Sequence, residues 1–344
     1  MHKNFQPAYN LLLLSVIALG FLSSCVTEKR LSFDVLTPAV TNLPPEIKTL
    51  ALFNHAIKAK GDSAGSFYAY IGKISYDTVG VDTMLSYSCL NGLAEVMDQS
   101  ERYLIGTYPS PVPTYKNKKL PIILPFDTLA RLSGNPPADA AIVLEDIQSF
   151  DDFNYSTSLD GYYFTGLEVL IKSSWRIYAL KTREIIYRQT RIDTVQWYSG
   201  GAGWDKAVEN IPDRFSALEQ ASREAGNLFG KLISPSYRPV NRIYYVTDNP
   251  AMQSAAAFVN KGDWSSAARV WNEIASGKRK RLAALAAFNM ALASESEGRL
   301  EIAKYWIDRS FELKPEEKTI KYRDIINERL KQIDLLEKQL NAEK

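Results

Sequence analysis

LEVLIKSSWRIYAL (residues 167–180) alternates apolar and polar side chains with a period of two. One face carries Leu167, Val169, Ile171, Trp175 and Ile177, and the other carries Glu168, Lys172 and Arg176. Such alternation indicates a strand with one buried and one solvated face. The turn-like KTRE (181–184) and the β-branched and aromatic stretch IIYRQTRIDTVQW (185–197) predict that the strand returns as a long antiparallel hairpin.

The segment before the hairpin predicts a layer of strands and helices. Residues 47–55 and 139–147 are apolar on both faces, which is typical of central strands in a sheet. Residues 82–103 show the apolar spacing of a helix, and residues 127–132 form a shorter one. The order strand, helix, helix, strand predicts an α/β domain over residues 46–246.

An internal repeat dominates the end of the chain. GDWSSAARVW begins at Gly262 and GRLEIAKYWI begins at Gly298, so the copies lie 36 residues apart. An alanine-rich helical segment precedes each copy, and this period is typical of repeats built from two helices. Residues 247–344 are therefore predicted to be all-α, with the charged segment 316–344 as a capping helix.

This pattern resembles the tetratricopeptide repeat (TPR). The matching positions are Ala255, Phe258, Gly262, Ala267 and Trp271 in the first copy, and Ala291, Gly298, Ala303 and Pro315 in the second. The first copy lacks the closing proline, so two plain helical hairpins are the alternative. The predicted fold class is α+β: an α/β N-terminal domain with a long antiparallel hairpin, followed by an all-α TPR-like helical-repeat domain.

The start of the chain predicts where in the cell the protein is located. A basic start and the apolar run 11–22 are typical of a secretory signal over residues 1–24. As a helix the run would reach ~18 Å, which is short of the ~30 Å hydrocarbon core of a membrane. LSSC, at 22–25, resembles the lipobox of bacterial lipoproteins, which implies cleavage before Cys25 and its lipidation. An ordinary signal peptide is the alternative, and the proline-containing segment 25–45 predicts a tether.

The arrangement as a whole resembles a group of uncharacterised lipoproteins from Bacteroidota. The resemblance includes a segment with Ser234, Pro235, Pro239, Arg242, Tyr244 and Tyr245. It implies an architecture and a location without implying an activity. Val26 stands where an aspartate would signal inner-membrane retention in some bacteria, so the outer membrane is expected. The periplasmic side is favoured, with the cell surface as the alternative.

Composition excludes several classes of function. The 344-residue chain has a net charge of +2 with both signs interspersed, so nucleic-acid binding is not expected. GKRKR (277–281) is the only dense basic cluster and is interpreted as a solvated loop. Beyond the leader and Cys25, the chain keeps one histidine, His55, and one cysteine, Cys89, too few for a Cys/His zinc site. No metal and no cofactor are predicted, and Cys89 is interpreted as a core residue although a Cys89–His55 nucleophile pair is conceivable.

The leading functional hypothesis is a lipid-anchored scaffold or assembly factor of the cell envelope. Its protein partner would bind the concave side of the repeat, and the candidate contact residues are Phe258, Asn289 and Glu295. One alternative is an envelope hydrolase that uses carboxylates among Glu145, Asp146, Asp151 and Asp152. Another is a structural or secretion-apparatus subunit that binds by strand addition. The sequence leaves the enzymatic question open and favours a non-enzyme.

Overall fold

The computed structural model describes residues 26–58, 62–112 and 123–340. The predicted leader and Cys25 lie outside the described residues. Two compact units can be distinguished. The helical unit comprises residues 26–36 and 237–334, and the sheet unit comprises the described part of 37–236 together with 335–340.

Strands and helices are mixed in the first two thirds of the chain, and helices dominate the last third. The strands are β1 (Val26–Thr37), β2 (Thr49–Asn54), β3 (Phe67–Tyr70), β4 (Lys73–Tyr76), β5 (Leu104–Pro111), β6 (Ala140–Thr157), β7 (Tyr162–Ala179), β8 (Glu184–Ala202) and β9 (Ser236–Thr247). The helices are α1 (Val79–Asp98), α2 (Phe126–Leu132), α3 (Trp204–Val208), α4 (Arg214–Ile233), α5 (Pro250–Asn260), α6 (Trp264–Ala275), α7 (Lys280–Ser296), α8 (Leu300–Leu313) and α9 (Glu317–Leu340). A mixed α/β region is thus followed by C-terminal helices, and no described helix is long and apolar enough to cross a bilayer.

The predicted hairpin is confirmed as the antiparallel pair β7–β8. Leu167 lies opposite Trp197 and Val169 lies opposite Val195, so the apolar residues of both strands share a face. Strand β6 extends the pair on the other side of β7. Its first half runs parallel to β2 and its second half runs parallel to β3, so one long strand joins two parts of a seven-stranded sheet.

Helices cover both faces of the sheet near β2. On one face, α1 and α4 pack over β2, β6 and β7, and Trp175 of β7 stacks on Phe229 of α4 with ring centroids 4.2 Å apart. On the other face, Leu129 of α2 packs with Phe53 and Tyr178. The central strands are therefore buried on both sides, as their uniformly apolar sequences predict.

Helices α1 and α4 touch through glycines rather than side chains. An added Cβ at Gly226 would lie 1.8 Å from the carbonyl oxygen of Cys89, and one at Gly92 would lie 2.0 Å from that of Arg223. The Ser222 hydroxyl of α4 also donates to the carbonyl oxygen of Leu85 in α1 at 2.6 Å. The two helix backbones are therefore in direct contact at these positions.

The helical unit repeats one turn geometry. Gly262, between α5 and α6, has φ +76°, and Gly298, between α7 and α8, has φ +73°. This left-handed conformation favours glycine, which explains why both copies of the repeat contain glycine at this position. Ala255, Ala267, Ala291 and Ala303 are all fully buried, as expected where helices approach closely.

The structure differs from the expected tether. Residues 26–37 form β1, which pairs with β9, and Val26, Leu31 and Phe33 pack against the core of the helical unit. The alternation in LSFDVL (31–36) carries this signal, but the neighbouring prolines hide it. Strand β9 from Tyr237 onward also clusters with the helices, whereas the sequence places it at the end of the α/β domain.

Candidate functional site

Asn289 binds the backbone of strand β9. Its side-chain Oδ1 accepts a hydrogen bond from the Tyr245 N–H at 2.8 Å, and its Nδ2 donates to the Tyr245 carbonyl at 2.8 Å. Asn289 is fully buried on the alanine-rich helix α7, where backbone can approach closely. The Asn289 amide thus pairs with both the N–H and the carbonyl of one backbone residue. Such a contact holds an extended strand independently of the side chain that the strand residue carries.

Aromatic rings surround this backbone clamp. The Tyr245 ring meets Phe288 edge-on with centroids 4.9 Å apart, and Phe288 lies 4.9 Å from Tyr322. Burial raises the pKa of Tyr245 to about 12, with smaller contributions from Glu28 and Glu316. The tyrosine therefore stays neutral and contributes apolar contact and packing geometry rather than charge.

Glu295 is the centre of a buried ionic network nearly two turns further along α7. Arg242 of β9 donates from Nε and Nη2 to its two carboxylate oxygens at 2.9 and 2.8 Å. The Tyr322 hydroxyl donates to it at 2.7 Å, and Arg329 Nη1 donates at 2.7 Å. One carboxylate thus joins β9, α7 and α9.

The network keeps Glu295 ionised. Burial would raise the pKa of this carboxyl, but the hydrogen bonds and charge of Arg242, with Tyr322 and Arg329, outweigh it and hold the pKa below its ordinary value. Burial and the neighbouring Glu295 in turn raise the pKa of Tyr322 well above its ordinary value. Glu295 is therefore charged and Tyr322 is neutral at neutral pH.

The three partner-binding candidates all lie in the helical unit, but their side chains are used within it. Asn289 and Glu295 are buried and hold β9, while Phe258 is half-buried against the unit's core. A polar residue on an alanine-rich helix indicates that it has a buried hydrogen-bond partner. The partners, Arg242 and Tyr245, lie about 50 residues earlier in the sequence, so the local pattern does not identify them. Their binding of an external protein stays a prediction.

Replacing Asn289 with alanine is expected to lower the free energy of unfolding by roughly 2–4 kcal/mol. The change leaves the N–H and carbonyl of Tyr245 buried without their side-chain partner, and each such group costs about 1–3 kcal/mol. Urea unfolding followed by circular dichroism measures the loss. Asn272→Ala, at an exposed position of α6, is the matched control and should change the stability by less than about 0.5 kcal/mol. Equal effects of the two changes would contradict the clamp.

A surface groove opens between the end of α6 and the outer side of α8. It has a volume of about 590 Å³ and is lined by Ala275, Ser276, Tyr305, Trp306, Asp308, Arg309 and Glu312. Tyr305 is 62% exposed, and its ring meets Trp306 edge-on at 5.1 Å. Tyr, Trp and Arg are the residue types that dominate binding energy at protein interfaces. We refer to these seven residues as the α6–α8 groove.

The first of the candidate acids, Glu145, is held by a buried arginine. Its Oε1 lies 2.8 Å from Arg176 Nη1, and both side chains are almost fully buried. Arg176 also donates to the Tyr178 hydroxyl at 3.0 Å. Glu145 and Arg176 are both almost inaccessible to solvent, so this carboxyl group is not placed to exchange a proton with a substrate.

Asp151 lies on the opposite face of the same sheet, against α4. Arg214 donates to Asp151 at 2.6 and 2.8 Å and to Asp77 at 3.1 and 2.6 Å, and its guanidinium lies 4.1 Å from the centre of the Tyr68 ring. Burial raises the pKa of Asp151 despite Arg214. Glu145 and Asp151 are roughly 20 Å apart along β6. That is beyond the ~5–10 Å of a glycosidase pair.

The remaining candidate acids and the thiol give no further catalytic arrangement. Asp146 is half-buried and accepts from Gln148 at 2.9 Å, and Asp152 is half-buried beside Asp151. Cys89 is fully buried in α1, and burial raises the pKa of its thiol far above the ordinary value. Within residues 26–58, 62–112 and 123–340, no group of three His, Cys, Asp or Glu side chains is arranged to hold a metal ion.

Sequence comparison assigns the larger part of the chain to a family. Residues 47–245 match the family described as Domain of unknown function (DUF8603). The chain belongs to the DUF8603 family. Residues 253–334, which form most of the helical unit, match a second family, Domain of unknown function (DUF6340). No curated protein matches the chain significantly.

Solved structures resemble this DUF8603 member only weakly. A Helicobacter pylori protein, provisionally named as a neuraminyllactose-binding hemagglutinin homolog, is 9% identical, with a TM-score of 0.27, over 56% of this chain and 88% of its own. The hypothetical protein CT253 from Chlamydia trachomatis is 10% identical, with a TM-score of 0.23, over 53% and 96%. A provisionally named lipoprotein from Caulobacter crescentus is 12% identical, with a TM-score of 0.17, over 44% and 90%. Similarities of this size carry no conclusion about activity.

Proposed function

We propose that this chain is a lipid-anchored protein of the cell envelope that acts as a protein–protein interaction scaffold or assembly factor. The α6–α8 groove carries the proposal. It joins the exposed Tyr305 and the half-buried Trp306 to Arg309 and two acidic side chains, a composition that suits a protein surface of mixed polarity. The expected partner is a protein, and no nucleic acid, metal or cofactor is part of the proposal.

The geometry of the helical unit supports a TPR-like repeat as the frame of this scaffold. Two helix pairs, α5–α6 and α7–α8, share a left-handed glycine at the turn and buried alanines at the helix contacts. The face of α7 where the resemblance places a bound peptide already holds β9 through Asn289 and Glu295. We therefore assign the external partner to the opposite side of the repeat, on the second helices α6 and α8.

The proposed location follows from the LSSC motif. Lipidation of Cys25 would anchor the chain to the outer membrane on its periplasmic side, with the cell surface as the alternative. Two or three acyl chains on one residue give lasting attachment, because a single chain binds only marginally.

A crosslinked pull-down of the full-length lipidated protein from its own membrane tests the scaffold. We expect one abundant protein partner, and we expect the double change Tyr305→Ala, Arg309→Ala to reduce its recovery roughly tenfold or more. Tyr237→Ala is the matched control because this tyrosine is also exposed, at 52%, in the helical unit. It should leave recovery unchanged.

The other outcomes separate the alternatives. No partner in either sample would contradict the scaffold. A partner retained by the groove variant would move the contact elsewhere, and the edge of β8 would be the next surface to test. Among described residues, β8 runs for 19 residues and pairs only with β7, so its other edge is open to an added strand. That result would favour the structural-subunit alternative.

A further inference from the structure

Four consecutive cations form an exposed basic cluster at the start of α7. Lys278, Arg279, Lys280 and Arg281 are all exposed. Within the described part of the chain, none of the four forms an ion pair. In contrast, Arg242 and Arg329 of the same unit are bound by Glu295. The cluster therefore presents its charge to the surroundings rather than to the fold.

The position of the cluster is unfavourable for the helix itself. The first turn of α7 carries the positive end of the helix dipole, and cations at this end destabilise a helix. Arg279, the residue that precedes the helix, makes no side-chain capping hydrogen bond. Since the cluster stabilises neither the helix nor an internal contact, a role at the surface accounts for it better than a structural one.

The cluster lies beside the point where the lipid anchor would leave the fold. A cavity of about 430 Å³ is lined by Val26 together with Arg279, Arg281, Leu282 and Leu285. Val26 is the first residue of β1 and is bonded directly to Cys25. Because neighbouring Cα atoms are only ~3.8 Å apart, no spacer separates the lipidated residue from this part of the helical unit.

We propose that residues 278–281 dock the helical unit onto anionic phospholipid headgroups of the membrane that holds the Cys25 lipid. The inference rests on the proposed function only for the lipid anchor. A lipid chain beside a polybasic segment is a two-part membrane signal, in which each Lys or Arg near an anionic surface strengthens binding roughly fivefold.

The charged residues near residues 278–281 do not neutralise the cluster, and the net charge of this surface stays positive. Strand β1 adds exposed Lys29 and Arg30 close to the anchor, while Glu28 is paired with Lys318. Asp248 also lines the cavity, as its one acidic residue. The surface around Val26 is therefore complementary to phosphodiester headgroups.

The test uses the full-length lipidated protein on two kinds of vesicle, phosphatidylcholine alone and phosphatidylcholine with phosphatidylglycerol in equal parts. A water-soluble amine reagent labels Lys278 and Lys280, and mass spectrometry measures their rates against Lys206, a reference lysine that is 68% exposed. We expect both lysines to react at least about fivefold more slowly on the anionic vesicles. High salt should restore their reactivity because it screens the attraction.

The variant Arg279→Gln, Arg281→Gln keeps both reporter lysines and removes half of the charge of the cluster. It should lose most of the protection on anionic vesicles while its circular dichroism stays unchanged. Equal labelling on both vesicle types, with the protein still floating with the vesicles, would overturn the docking and leave the anchor intact. Failure to float with phosphatidylcholine vesicles would overturn the lipid anchor, and the docking with it.

Discussion

Gly226→Ala is expected to lower the free energy of unfolding of the sheet unit by roughly 3 kcal/mol or more. The new Cβ would lie 1.8 Å from the Cys89 carbonyl oxygen and 2.9 Å from the Leu93 nitrogen, both of which are backbone atoms of α1. Because a backbone cannot rotate away as a side chain can, α1 and α4 must separate and their shared core must loosen. This cost exceeds the ~1 kcal/mol that alanine contributes as the better helix former.

Gly80→Ala is the matched control for this prediction. Gly80 lies in the first turn of α1, and its added Cβ would meet only the Thr78 hydroxyl, at 3.5 Å. The change should be neutral or slightly stabilising, by up to about 1 kcal/mol. Urea unfolding of both variants, followed by near-ultraviolet circular dichroism of Trp175 and its aromatic neighbours, gives the comparison. If Gly226→Ala is as stable as Gly80→Ala, the helix backbones are not in contact.

Glu295→Ala is expected to cost the helical unit roughly 3–5 kcal/mol. Removing one member of a buried ionic network leaves the others uncompensated, and here both Arg242 and Arg329 lose their counter-charge. Thermal unfolding measures the loss. Glu301→Ala, at an exposed position in the first turn of α8, should cost at most about 1 kcal/mol, because it loses only a favourable interaction with the helix dipole. Similar losses in the two variants would contradict the central role of Glu295.

The same network predicts a pH dependence. The folded protein holds the pKa of Glu295 below its ordinary value of 4.5, so the unfolded chain binds the proton more readily. The stabilisation is therefore complete above that value and is lost as the pH falls through the lower pKa of the folded state. Glu295→Gln should flatten this part of the profile of stability against pH, whereas Glu301→Gln should leave it in place.

The elements that the sequence predicts are those whose pattern lies within a single segment of the chain. The β7–β8 hairpin, α1, α4 and the paired helices follow from periodicity within single segments, and the structure contains them. Strands β3 and β4 were missed because each has only four residues and their turn places Ile71 at φ +49°, which is rare for a β-branched residue. Strand β1 was missed because its partner β9 lies at the other end of the sheet unit in sequence.

In the candidate site, too, the sequence does not reveal contacts between segments that are distant along the chain. Asn289 and Glu295 stand out in the sequence because they interrupt an apolar helix face, but only the fold reveals that they bind Tyr245 and Arg242. Tyr305 and Trp306 are adjacent in sequence, and neighbouring residues on a helix point in different directions. Sequence alone therefore gives no sign that they line one groove with Ala275 and Ser276 of the α6 end.

The pairing of β1 with β9 has a consequence for the order in which the chain matures. Synthesis runs from the N-terminus, so β1 emerges before the whole of 37–236 and long before β9 and the helices that cover it. Val26, Leu31 and Phe33 stay without their native contacts throughout that time. Contacts between such distant segments form slowly, and exposed apolar strands aggregate. The newly made chain is therefore most prone to aggregation at β1, where a holding chaperone would protect it until the last helices are made.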